Sequence, residues 1–280
     1  MRLRLFSLAA AIVVMTGAAF AQDDPTTASV NPAPPSGISV DQVIQKFAAK
    51  EAEFKLARDN YTYRQTVSVQ TLDGDTVDGE YRQVSDILFD AQGKRTENIV
   101  FAPMSTLQRV SMSPEDQEDI RKTMPFVLTT QEIPDYNIKY NGQQRVDELD
   151  TYVFEVSPLR MTPGRRYFQG RIWVDQQDLQ IVMTHGKPVP DLRKGSENLF
   201  PKFTTYREQI DGKYWFPTYT RADDYLQFKR GPVHIREIIK YTDYKRFGSN
   251  TKITYEGQEV QKAPEGQQPP PQQQPQQPPK

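Results

Sequence analysis

Apolar residues at Val40, Val43, Ile44, Phe47, Phe54 and Ala57 keep helical spacing, which predicts a helix over 39–58 with one stripe laid on a neighbour. Ser39 and Gln42 supply a capping box, and Ile38 and Val43 occupy the staple positions. After Arg58 the period changes to two. In 61–72, Tyr61, Tyr63, Val67 and Val69 share one face while Thr62, Arg64, Thr66, Ser68 and Gln70 share the other, the pattern of a strand buried on one side.

Comparable runs lie at 80–89, 95–101, 136–140, 145–146, 151–156, 167–174, 179–184, 203–210, 214–221 and 233–241. Asn141-Gly142 and Asp211-Gly212 read as hairpin turns between antiparallel neighbours. A second helix is expected from Ser113-Pro114-Glu115-Asp116, with Ser as cap and Pro in the first turn, to Met124-Pro125. The fold class is therefore mainly β, an α+β arrangement of about ten strands in one antiparallel meander with few covering helices. A sheet that wide must curl around its apolar face. It then forms either a packed core or a cavity, and the aromatic stock of 14 Phe, 14 Tyr and 2 Trp suits both.

The two ends differ from this middle. Residues 1–21 carry Arg2 and Arg4, an apolar run from Leu5 to Phe20 and Ala19-Phe20-Ala21, which predicts a secretory signal peptide cleaved after Ala21. Residues 22–37 contain four prolines and almost nothing apolar, and read as a solvated tether. One domain is expected over 38–255. Residues 256–280 are expected to form a Pro/Gln-rich disordered tail, with seven Pro and seven Gln in the last 18 positions.

Composition narrows the chemistry. With 35 basic against 36 acidic residues and a formal charge of −1, no basic field recommends a nucleic-acid partner. The absence of cysteine excludes disulfides, thiol catalysis, Cys-ligated metal and an acylated N-terminal Cys. The two histidines, His185 and His234, lie 49 positions apart with no metal-binding spacing, so neither metal nor cofactor is expected. Asp175 and Asp178 span a turn, where Asp is favoured for bonding the backbone. No nucleophile elbow, phosphate loop or Ser-x-x-Lys arrangement occurs, so the expectation is a binding protein and not an enzyme. Arg165-Arg166 reads as a solvated basic pair.

The segments GRIWVD (170–175), DLQIVM (178–183), FTTYREQIDGKYWFP (203–217) and REIIKYTDY (236–244), with Gln65-Thr66-Val67 and Gly93-Lys94-Arg95 before them, resemble LolA-like outer-membrane lipoprotein-sorting proteins over about residues 38–250. The resemblance implies an unclosed half-barrel lidded by helices, whose apolar concavity takes the acyl chains of lipoproteins or related lipids in the periplasm. It also implies a monomeric carrier with donor and acceptor proteins in the envelope. A lipid or peptide sensor built on the same fold is the alternative function, disfavoured because too few residues follow 250 for a second domain. The inner lining is expected from Tyr63, Val67, Phe89, Phe101, Phe154, Ile172 and Tyr219. Phe47 is expected to seat the first helix across the mouth. By its match to the basic residue that the family uses for lid control, Arg95 is expected to couple that helix to cargo release.

Overall fold

Ser39 caps the first helix as its spacing predicts: the Gln42 N–H donates to Ser39 Oγ at 3.2 Å, and the Ser39 N–H donates to Gln42 Oε1 at 3.1 Å. In this computed structural model, which describes residues 24–90, 94–190 and 199–247, the helix α1 runs Val40–Arg58. The strands β1 (Tyr61–Asp73), β2 (Thr76–Phe89) and β3 (Arg95–Phe101) follow. A connection carrying the short helix α2 (Pro114–Glu118) and a π-helical turn (Asp119–Thr123) leads to β4 (Tyr136–Val146). The chain continues through β5 (Leu149–Pro158), β6 (Tyr167–Asp175), β7 (Ile181–Val189), β8 (Phe203–Ile210), β9 (Tyr214–Phe228) and β10 (Gly231–Arg246).

The ten strands form one antiparallel sheet in the order β3-β2-β1-β10-β9-β8-β7-β6-β5-β4. Its two edges, β3 and β4, do not meet, so the sheet is an unclosed half-barrel. Pairing of β1 with β10 joins the two ends of the described domain, which leaves β3 and β4 on opposite edges. Residues 102–135 therefore cross the sheet, and they do so on the face that α1 also covers. Ile120, Met124, Phe126 and Leu128 from this crossover join Val43, Phe47, Val67, Phe154, Ile172, Phe203 and Ile239 in the main core. Most of the concavity is thus filled by the protein itself.

A buried ion pair fixes α1 in place. Glu51 and Arg207 are both almost fully enclosed, and Arg207 Nη1 donates to both Glu51 oxygens at 3.1 Å. The Ile181 N–H donates to Glu51 Oε1 at 3.1 Å, Arg207 Nη2 donates to the Phe126 carbonyl, and the guanidinium lies over the Phe54 ring. Burial pushes the Glu51 carboxyl up, and Arg207 with the Ile181 N–H pulls it back. One acid on the apolar stripe of α1 thereby ties helix, sheet and crossover together.

Two local readings are corrected. The Asp211-Gly212 turn joins β8 to β9 with both residues at positive φ. Asn141-Gly142 instead lies inside β4, at a register shift opposite Tyr140 and Val153. A Cβ at Gly142 would run into the Asn31 carbonyl, so glycine there serves a close approach of two backbones. That approach also overturns the tether. Asn31 and Gln143 exchange backbone hydrogen bonds at 2.8 and 2.7 Å, Tyr140 Oη donates to the Ala33 carbonyl, and Arg221 pairs with Asp24. Val30 packs beside Trp173, Val153 and Met183 on the convex side. The described part of the proline-rich stretch is bound because prolines lack the N–H groups that need partners while their carbonyls remain acceptors.

Candidate functional site

On the concave face β10 alternates Val233, Ile235, Glu237, Ile239 and Tyr241 inward. Ile235 and Glu237 pair with Thr71 and Val69 of β1, and Leu226 of β9 faces Val233. The crossover does not press on this end of the sheet. Between the two lies a cavity of about 370 Å³, bounded by Val69, Leu226, Phe228, Ile235 and Glu237 from the sheet. Its roof is formed by residues 109–113, 115, 116, 119 and 124 of the crossover and 199–201 of the segment before β8. The volume falls within the range of small-molecule sites, and the walls mix apolar side chains with polar and charged ones.

Beside Glu115, three acids belong to the lining. Asp116 Oδ2 accepts from the Ser113 N–H and Oγ at 2.7 and 2.8 Å, completing the cap of α2. Asp119 is taken up by Arg166, at 2.6 and 3.1 Å, and by Thr123 Oγ1 at 2.8 Å. Arg166 is thus a buried partner and not a solvated turn residue: its side chain is 8% exposed and stacks on Phe200. The third acid, Glu237, is 5% exposed, and among the described residues no hydrogen bond or ion pair reaches its carboxyl. Burial pushes it up to about 8, with Asp116 and Asp119 adding to the push.

Glu237 therefore makes stability depend on pH. Its carboxyl titrates near 4.5 in the unfolded chain, so between that value and about 8 the folded chain holds a proton that the unfolded chain has released. Stability should be full below the unfolded value, fall by about 1.4 kcal/mol per pH unit through the window, and level off above it. Burial raises Asp116 and Asp119 as well, with the same sign. Urea unfolding at several pH values should show a shallower fall in Glu237→Gln than in the natural chain. Equal slopes would mean that Glu237 is ionised in the fold.

The residues expected to line a concavity lie elsewhere. Val67, Phe154 and Ile172 are in the packed core, with Phe154 against Phe47 at a ring separation of 5.5 Å. Tyr63 stacks on Tyr244 at 5.2 Å, and Phe89 is buried at the end of β2. Phe101 and Tyr219 are on the other face. A register shift at Val84/Ser85 turns Phe101 outward beside Arg82, while Tyr219 pairs with Tyr206 on the convex side. Arg95 was expected to reach an overlying helix; its guanidinium instead bonds Glu97 Oε2 at 2.9 Å and Gln65 Oε1 at 3.3 Å within the sheet. None of these residues is among those bounding the cavity.

Other polar groups are structural. Asp175 Oδ2 accepts from the N–H groups of Gln177 and Asp178 at 2.9 and 2.6 Å, closing the turn between β6 and β7. His185 bonds Thr204 Oγ1, and His234 bonds Asp223. Among the described residues no three His, Asp or Glu side chains are grouped so as to hold a metal ion.

No protein-family model matches the chain, and no curated protein matches it. Among solved structures it is similar to a DUF1329 family protein from Desulfovibrio piger, with 14% identity and a TM-score of 0.41, over 74% of this chain and 93% of that one. A LolA superfamily protein from Nitrosomonas europaea is similar at 16% identity and a TM-score of 0.36, over 74% and 93% of the two chains. An outer membrane lipoprotein-sorting protein domain from Vibrio parahaemolyticus is similar at 13% identity and a TM-score of 0.36, over 74% and 95%.

Proposed function

We propose that the chain is a periplasmic carrier, without catalytic activity, that takes an acyl chain of a lipoprotein or related lipid into its concave face for transfer toward the outer membrane. The observation that carries this reading is the cavity between the crossover and β1, β10 and β9, walled by Val69, Met112, Leu226, Phe228 and Ile235. Elsewhere the crossover and α1 fill the concavity with side chains, so this end of the sheet is where a hydrocarbon chain could be taken up. The fold thus supplies a shielded compartment for hydrocarbon. Export is inferred from residues 1–21, which lie outside the described residues, as does the tail 256–280. Among the described residues no helix is long and apolar enough to cross a membrane.

The test fills the cavity. Ile235→Trp places an indole where the chain would lie, and should lower the affinity for a fluorescent apolar probe at least about tenfold while leaving the circular dichroism spectrum unchanged. Leu226→Trp is the second variant, for use if Ile235→Trp overpacks the sheet. Probe binding that survives both substitutions in folded protein would remove the cavity from the function. Val67→Glu would not serve, because Val67 lies in the main core and a buried charge there would unfold the chain.

A further inference from the structure

The cavity contains a feature that hydrocarbon does not need. Glu237 lies on an inward strand position between Ile235 and Ile239, 5% exposed and, among the described residues, without a hydrogen-bond or ion-pair partner. Buried polar groups without partners are rare and costly in folded proteins. An apolar residue would pack there at lower cost, so the carboxyl is the part of the lining that requires a reason. Asp116 stands beside it in the same lining with only Oδ2 committed to the cap. The neighbouring guanidinium groups are occupied: Arg109 pairs with Asp78 at 2.7 Å, and Arg166 with Asp119. Among the described residues no lysine bounds the cavity, and the lining carries four acids and one arginine, Arg109, beside its apolar members.

We propose that the cavity takes a cationic amphiphile, with an organic ammonium head against Glu237 and Asp116 and a hydrocarbon tail along Leu226, Phe228 and Ile235. This rests on the acyl-binding reading and specifies its ligand. Among the described residues an anionic head would meet the four acids of the lining, with Arg109 and Arg166 already paired. A small hydrated metal ion would meet acids that are not arranged as ligands and a wall that cannot replace its water. A quaternary alkylammonium is weakly hydrated, and its charge is neutralised in place by the Glu237 carboxylate.

Uptake then has a proton balance. Free protein holds Glu237 protonated at neutral pH, so an ammonium head entering the site displaces one proton to solvent and leaves a carboxylate–ammonium pair. The groups that face this carboxyl are Asp116, Asp119 and Glu115 from α2 and the π-helical turn, Arg109 from the preceding segment, and Arg166 through Asp119. Apparent affinity for a quaternary ammonium, which does not titrate, should rise about tenfold per pH unit up to about 8 and level off above it.

The experiment uses the full mature chain and four probes below their micellar concentrations: dodecyltrimethylammonium, dodecanol, dodecyl sulfate and tetramethylammonium. Calorimetry at several pH values, in two buffers of different ionisation enthalpy, reads affinity and proton release together. Expected is binding of dodecyltrimethylammonium at least about tenfold tighter than dodecanol at pH 8, release of a proton at pH 7, and the weakest binding for dodecyl sulfate. Glu237→Gln should bring the cationic probe to the affinity of dodecanol and abolish its pH dependence. Asp116→Asn, which keeps a capping oxygen, should lower the preference in part. Equal binding of the cationic and neutral probes, or a preference that survives Glu237→Gln, overturns the ammonium site while leaving the acyl reading intact. Tetramethylammonium binding as tightly as its dodecyl form, or no dodecyl probe binding at all, overturns the acyl reading and the ammonium site with it.

Discussion

Glu51→Leu should lower the stability of the folded chain by about 3 to 5 kcal/mol, a loss that urea denaturation with an unchanged m-value would display. Leucine fits the apolar stripe of α1 and keeps the helix propensity, so neither packing nor helix formation accounts for a loss of that size. What remains is Arg207, almost fully enclosed and unable to shed its proton. It keeps its bonds to the Phe126 and Ile181 carbonyls but loses its counter-charge, and the Ile181 N–H loses its acceptor. The double variant Glu51→Leu, Arg207→Met removes the stranded charge. It should therefore be more stable than Glu51→Leu alone, although the Ile181 N–H stays unsatisfied and the Phe126 and Ile181 carbonyls lose the Arg207 donor. A loss below about 1 kcal/mol for the single variant would mean that water reaches the pair and that α1 is not fixed by it.

The same two residues show what the sequence disclosed. Strand phase was legible, and in it Glu237 falls between Ile235 and Ile239, Arg207 falls in phase with Phe203 and Thr205, and Glu51 lies four residues after Phe47. A charged residue in apolar phase is a readable signal. The aromatic stock points instead to Tyr63, Val67 and Phe154, which lie in or against the main core. Capping boxes at Ser39 and Ser113 were legible because they depend on residues three apart. Pairing of β1 with β10 depends on residues some 170 positions apart, and with it goes the crossover that fills most of the concavity. Bulges were equally hidden. The shift at Val84/Ser85 reverses the phase of Phe101 relative to its partner strand, and no local pattern marks it. The space left in the wide concavity therefore contracts to one end of the sheet, and the candidate site is set by where the crossover roofs the sheet without packing onto it.

Phe47→Ala should also cost about 3 to 5 kcal/mol, which decides whether α1 is core or lid. Phe47 is fully buried, in ring contact with Phe154 and in one cluster with Val43, Ala48 and Ile172. A lid would surrender those contacts whenever cargo entered, so truncating its ring would change the opening equilibrium more than global stability. Here the next turn of the helix is held by Glu51 through Arg207 and Ile181, and lifting α1 would strand both charges. Amide hydrogens of α1 should accordingly exchange only with global unfolding, and Phe47→Ala should lower that protection by the same amount as it lowers stability. No residue of α1 bounds the cavity, so folded Phe47→Ala should bind the apolar probe as the natural chain does. Protection lost at α1 while the rest of the sheet stays protected would restore the lid. The element left to admit cargo would otherwise be the roof, residues 109–116 and 199–201, which contributes Met112 and Phe200 to the cavity but places neither α1 nor the Glu51–Arg207 pair in the path of entry.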